Sequence, residues 1–393
     1  MSVENYDYLI VGGGMTADAA VRGIRERDVN GTIAVLCAEG HPPYDRPPLS
    51  KKLWAGKEPD SIWRNTADAG AEILLNTRAV RGDTGTKTVE DARGDQYRYD
   101  KLLVATGGTP RRLPSVTDGI VYFRTFDDYQ HVRELADRKS EFVVVGGGFI
   151  GSEIAAALAM IDCRVTMVFP DTGIGSRIYP PSLGNFLDAY YRERGVDVRE
   201  QERIQLVERS GGRYSVYTEN GDVIEADAVI AGIGIEPEVT FAQSLGLVID
   251  NGVVVDELLC AAADIFAAGD VANYQDAALG VRRRVEHEDN ANTMGAMAGR
   301  NMAGGSERYE HLPYFYSDLF DLGYEAVGEL GADMEIVEDW VEPFHKGVLY
   351  YLRDGRVRGV LLWNTWDRVD AARDLIRGRE SHTAADLAGR IRD

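Results

Sequence analysis

A chain of 393 residues, 44% hydrophobic and 27% charged, can bury two or three cores and is too apolar to be disordered throughout. Its formal net charge of −21 disfavours nucleic acid and anionic membrane as main partners. No apolar run reaches the roughly 18–20 residues of a membrane helix, and the N-terminus enters a strand without a basic and apolar leader, so a cytoplasmic location is expected.

In chain order, residues 7–11 read as a short apolar strand, followed by a glycine turn that opens a helix, and residues 32–38 as a second strand. Residues 41–59 are proline-rich and loop-like, then helical around 51–55. Residues 73–104 alternate in the manner of antiparallel strands, with a turn at 82–86. Residues 142–145 form another strand, with a second glycine turn, an apolar helix and a partner strand at 165–169 behind it. The pattern of 7–39 therefore recurs at 142–171 as a repeated type of domain. Residues 252–270 return to strands, 285–304 read as one helix, and from Leu312 short aromatic-rich strands precede helical segments.

The first glycine turn is Gly12-x-Gly14-x-x-Ala17. One glycine permits the tight turn, the next lets the backbone approach a pyrophosphate, and the third position must be small for helix–strand packing. The helix N-terminus then offers free N–H groups to an anion. Glu39, closing the second strand, suits a ribose diol. The second turn is Gly146-x-Gly148-x-x-Gly151, which includes Phe149 and Ile150. Its acidic partner is Asp171, which favours an unphosphorylated ribose and hence NADH over NADPH, while nearby Arg177 softens that choice. Two further glycine turns follow apolar strands, in Leu102–Gly108, which contains Ala105, Thr106 and Gly107, and in Ala228–Gly234. The stretch ending Gly269-Asp270 can place a carboxylate on a flavin ribityl hydroxyl.

Cys37, Cys163 and Cys260 lie far apart, so a dithiol relay beside a flavin is not expected. His41, His131, His311, His345 and His382 show no ligand spacing, and no metal site is expected.

Four segments carry a resemblance that spans essentially the whole chain: PYDRPPLSKKLW at 43–54, GGGFIGSE at 146–153, FAAGD at 266–270, and YSDLF with GYEAVG at 316–328. With them the chain resembles the FAD-dependent ferredoxin and rubredoxin reductases, with apoptosis-inducing factor as a close relative. VFPDTG, RVEHED and LYYLRDGRVRGVLLWN lean toward the latter. The resemblance implies an α/β protein with two Rossmann-like, glutathione-reductase-type dinucleotide domains and an α+β C-terminal domain. FAD would be bound by 1–110 and 236–312, NAD by 111–235, and 313–393 would close over the flavin. Arg46 and Arg111 would contact the FAD diphosphate region. Asp270 would hold the ribityl chain, and Val80 with Ala105, Thr106 and Gly107 would touch FAD through backbone atoms. Glu286 and His287 would approach the pyrimidine ring. Lys51 would sit by flavin N5 with Glu153 as its partner, and Phe149 would cover the flavin as a gate. Tyr316 stands where relatives often have a stacking tryptophan. Gly146, Gly148, Ile150, Gly151, Asp171, Arg177 and Gly234 would meet NAD.

A buried lysine near N5 would stabilise negative charge on reduced flavin, and a carboxylate partner would keep it charged despite desolvation. The activity implied is hydride transfer from NADH to FAD, then electron transfer to a ferredoxin or rubredoxin, with a homodimer left open. The Arg282-Arg283-Arg284 run reads either as a basic rim for an acidic partner or as a solvated loop that incidentally binds FAD phosphate. Two alternatives stand beside this: an NADH oxidase or quinone reductase, and a slowly turning redox-switch protein like apoptosis-inducing factor.

Overall fold

Strands buried on both faces read as unbroken apolar runs, and the two central runs of this chain form the parallel centres of two sheets. The computed structural model describes residues 3–114 and 119–391. Two compact units emerge, each assembled from three stretches of chain. The first comprises Met1–Arg46, Pro59–Thr109 and Glu236–Pro313; the second comprises Pro47–Glu58, Pro110–Ile235 and Tyr314–Asp393.

In the first unit, strand Val3–Val11 lies parallel to Ile33–Leu36 on one side and to Gln96–Val104 on the other. Ala71–Leu74 extends one edge of the sheet, and Ile265–Ala267 and Cys260–Ala262 extend the other. Leu9, Ile10, Ala34, Val35, Leu102 and Leu103 are wholly buried where these strands meet. The helix Met15–Arg25 packs against Glu288–Met302 almost backbone to backbone. A Cβ at Gly299 would strike the Ala20 carbonyl, and one at Gly295 would come within 2.5 Å of the Thr16 carbonyl. Because 16 meets 295 and 20 meets 299, the helices run in the same direction. The second helix has seven residues before Gly295 and the first only Met15 before Thr16, so the second runs about 9 Å beyond the first at its N-terminal end.

The second unit holds a four-stranded parallel sheet in the order Val196–Arg199, Arg164–Val168, Glu141–Val145, Ala228–Ala231. It also holds a three-stranded antiparallel sheet over 204–226, and a five-stranded antiparallel sheet built from the C-terminal stretch. In that last sheet Tyr314–Leu319 is an edge strand paired with Leu322–Gly328. Helix Phe126–Asp137 begins with a capping box, in which Thr125 and Asp128 satisfy each other's backbone N–H groups.

Three sequence expectations change. Residues 51–55 are turns, preceded by a 3₁₀ turn at Pro47–Ser50. The indole N–H of Trp54 takes the Leu49 carbonyl at 2.7 Å, the acceptor an α-helix would give to the Leu53 amide, and that amide bonds Pro48 instead. Ala71–Leu74 is parallel to Ile33–Leu36 rather than part of an antiparallel series, since a short apolar run looks alike in either setting. The helix expected at 285–304 begins only after His287, whose extended backbone caps Glu288–Met302.

Candidate functional site

The two glycine turns share one construction. Gly12, at φ 123°, lies so close to the Ala105 carbonyl that a Cβ would collide with it; Gly146, at φ 117°, stands in the same relation to Gly232. The second residue of each turn backs onto the neighbouring strand end, Gly13 against Cys37 and Gly147 against Phe169. The third differs in kind. Gly14 and Gly148 face open space, and each caps its helix with no side chain of its own to bond the first-turn N–H groups. An open cradle at a bare helix N-terminus fits a pyrophosphate. Ala17 is tolerated, fully buried, in the first turn, whereas a Cβ at Gly151 would strike the Gly146 carbonyl.

Around the first turn the acidic and basic candidates converge. Glu39 accepts hydrogen bonds from Tyr44 Oη at 2.7 Å and Arg46 Nη2 at 2.5 Å. Burial by itself would weaken the Arg46 guanidinium's hold on its proton, but Tyr44, Glu39 and Asp270 overcome it and push the group above its ordinary range. Asp270 follows Gly269, which packs directly on Thr16 in the first turn of the helix. Ala105 is fixed by its N–H to the Val11 carbonyl, Thr106 by its hydroxyl to the Glu238 carbonyl, and Gly107 by accepting the Glu238 N–H. Val80 is 41% exposed in Ala79–Asp83, and His287 is the extended N-cap of Glu288–Met302. Arg111 belongs to the other unit, where its N–H bonds the Gly234 carbonyl.

Two residues of this region were given no place in the flavin site by the sequence. Asp18, wholly buried, accepts from Arg22, Arg64 and Thr66. Arg284 donates to the Asp270 carbonyl at 2.9 Å and pairs with Glu286 at 2.5 Å, tying two candidate flavin residues together. Its signal was in plain view, but within the run read as a docking rim. The structure gives the run a local role. Arg282 donates to the Val255 and Asn273 carbonyls and Arg283 pairs with buried Asp276 at 2.7 Å, so all three arginines brace their own unit.

In the second unit Lys51 and Glu153, 102 positions apart, form an ion pair of 2.7 Å with side chains only 8% and 3% exposed. Ser50 Oγ donates to the same oxygen, Oε2, and Ser317 Oγ donates to Oε1, each at 2.6 Å. The Lys51 ammonium lies 5.2 Å from the Tyr316 ring centre, within cation–π range. Phe149 and Ile150, at the start of the Glu153 helix, are 39% and 37% exposed, and Phe149 meets Phe315 edge-on at 5.3 Å. Asp171 pairs with exposed Arg177 at 3.3 Å. Their loop is fastened to the second turn by the Gly175 N–H on the Gly147 carbonyl.

Burial pushes the thiols of Cys37, Cys163 and Cys260 up, away from the reactive thiolate. No cluster of metal-ligating side chains occurs among the described residues. Among them, too, no helix is long and apolar enough to cross a membrane.

Two sheets with parallel centres, each with a glycine turn that suits a dinucleotide, and a buried lysine–carboxylate pair define an oxidoreductase that uses two dinucleotides. The description pyridine nucleotide-disulphide oxidoreductase matches residues 6–295, and the chain belongs to that family, which implies FAD and NAD(P). Residues 331–378 match the C-terminal domain of mitochondrion-associated apoptosis-inducing factor. Apoptosis-inducing factor 1 of Dictyostelium discoideum is 35% identical over 96% of this chain and 80% of its own length. The ferredoxin reductase subunit of 5,5'-dehydrodivanillate O-demethylase from Sphingobium sp. is 33% identical over 96% and 93%. Among solved structures, putidaredoxin reductase in its covalent complex with putidaredoxin superimposes with a TM-score of 0.88 at 29% identity, covering 96% of this chain and 94% of that one.

Proposed function

We propose that this protein takes hydride from NADH onto FAD and passes the electrons to a ferredoxin-type iron–sulfur protein. The observation that carries the reading is the dry Lys51–Glu153 pair, a fixed cation beside the second glycine turn with no dithiol near it. When bound, FAD accepts two electrons together and releases them singly. The chain's own residues do the rest. Gly12, Gly14 and Ala17 would seat the FAD pyrophosphate, Glu39 and Asp270 its hydroxyls, with Arg46 neutralising both carboxylates. Gly146, Gly148 and Gly151 would seat NADH, and Asp171 would favour its unphosphorylated ribose. Lys51 would stabilise negative charge at the flavin, Glu153 would hold its ammonium charged, and half-exposed Phe149 would move aside for nicotinamide. Hydride transfer needs no general base, in keeping with the absence of one from this scheme. The iron–sulfur acceptor is supported by the named ferredoxin reductase subunit and by the reductase–putidaredoxin complex among the neighbours.

A second reading, a slowly turning redox-switch protein, is favoured by the match at 331–378. Anaerobic titration with NADH, followed by offered acceptors, separates the two. Fast reoxidation by a ferredoxin supports the reductase. A long-wavelength absorption band that persists, with slow turnover and an NADH-dependent change in oligomer size, supports the switch.

A further inference from the structure

A carboxylate as buried as Glu153 needs more than one ion-pair partner, because each of its oxygens loses water. Lys51 and Ser50 both serve Oε2, leaving Oε1 to Ser317 alone among the described residues. Ser317 is itself 1% exposed and sits on the edge strand Tyr314–Leu319, far along the chain from both members of the pair. Three separate stretches of sequence therefore meet on one carboxylate: 47–58, the helix Phe149–Met160 and the C-terminal sheet.

We propose that Ser317 is a positioning residue for Lys51. By donating to Oε1 it locks Glu153 in one orientation and favours its ionised form, and through Glu153 it keeps the Lys51 ammonium charged and aimed. Hydrogen bonds to a carboxylate stabilise the ionised form, so loss of one donor shifts the balance toward the protonated acid. A protonated Glu153 no longer supports a buried ammonium, and Lys51 then loses charge more readily. This rests on the reading of Lys51 as the flavin-side cation, but the effect on Glu153 is independent of it.

Other ionisable groups surround the pair. Lys52 neighbours Lys51, Asp318 follows Ser317, and Tyr179, Tyr191 and Tyr324 feel the Glu153 charge. Burial pushes the Asp318 carboxyl up, with Lys51 opposing and Glu153 adding to the rise. Its titration must be separated from that of Glu153.

The test compares Ser317→Ala and Ser317→Thr with the native protein, using infrared difference spectroscopy across a pH titration without NADH. Glu153→Gln and Asp318→Asn backgrounds assign the carboxyl bands. In Ser317→Ala a protonated-carboxyl band that vanishes in the Glu153→Gln background should appear as pH falls, at a pH where native protein shows none, and Ser317→Thr should abolish it. Anaerobic reduction by NADH should slow about tenfold in Ser317→Ala, more at low pH than at high, and recover in Ser317→Thr. A native infrared titration in Ser317→Ala, or equal impairment by alanine and threonine, overturns the proposal. An altered Glu153 titration with native protein that NADH cannot reduce would instead sink the reductase reading and leave the positioning role standing.

Discussion

Replacing Lys51 with methionine removes the ammonium while keeping much of the apolar stem. It leaves Glu153, 3% exposed, with two hydroxyl donors and no counter-charge. Flavin reduction by NADH is expected to slow at least about tenfold, equivalent to ~1.4 kcal/mol. The FAD midpoint potential should become more negative, since a cation no longer offsets charge on the reduced ring. Stopped-flow absorbance and a redox titration read both; a variant with native values would remove Lys51 from the mechanism. The pair was foreseeable only through the family resemblance, because nothing local links positions 102 apart. Ser317 and Asp18 escaped notice for a related reason: a serine on a strand and an aspartate in a first helical turn are ordinary, and only their distant partners make them informative.

The elements that shape the site were more legible, since glycine spacing and apolar runs are local signals. Both strand–turn–helix units lie where the sequence placed them, with boundaries moved by a few residues. The loop at 47–58 was less legible, because the Trp54 side chain, not backbone propensity, decides its hydrogen bonding. The two turns also make a selective prediction. Gly14 and Gly148 have room for a Cβ and extended backbone that alanine can adopt, so Gly14→Ala and Gly148→Ala should fold with native stability. Yet each methyl would occupy the cradle meant for a pyrophosphate. Gly14→Ala should lose FAD on dialysis, and Gly148→Ala should keep FAD but raise KM for NADH. Gly299→Ala is the contrasting case: it collides with the Ala20 carbonyl and should cost about 1–3 kcal/mol in urea unfolding. Native dinucleotide binding in both turn variants would contradict the assignment of the cradles.

At the scale of the whole molecule, the net charge of −21 dominates, and within the run at 282–284 Arg283 and Arg284 are paired with Asp276 and Glu286. An acidic ferredoxin would therefore approach against the long-range field, and kcat/KM for it should hold or rise as ionic strength increases. A steep fall with salt would reveal a basic docking patch elsewhere on the surface.

The path of electrons is tested most directly by anaerobic double mixing. FAD-loaded protein is first mixed with one equivalent of NADH, then with excess oxidised ferredoxin, while flavin and iron–sulfur absorbance are followed. The flavin band should bleach within the first mixing and return in the second, with about two ferredoxins reduced per NADH. Flavin that stays oxidised with NADH, or bleaches but is not reoxidised by ferredoxin on the timescale of turnover, would contradict it.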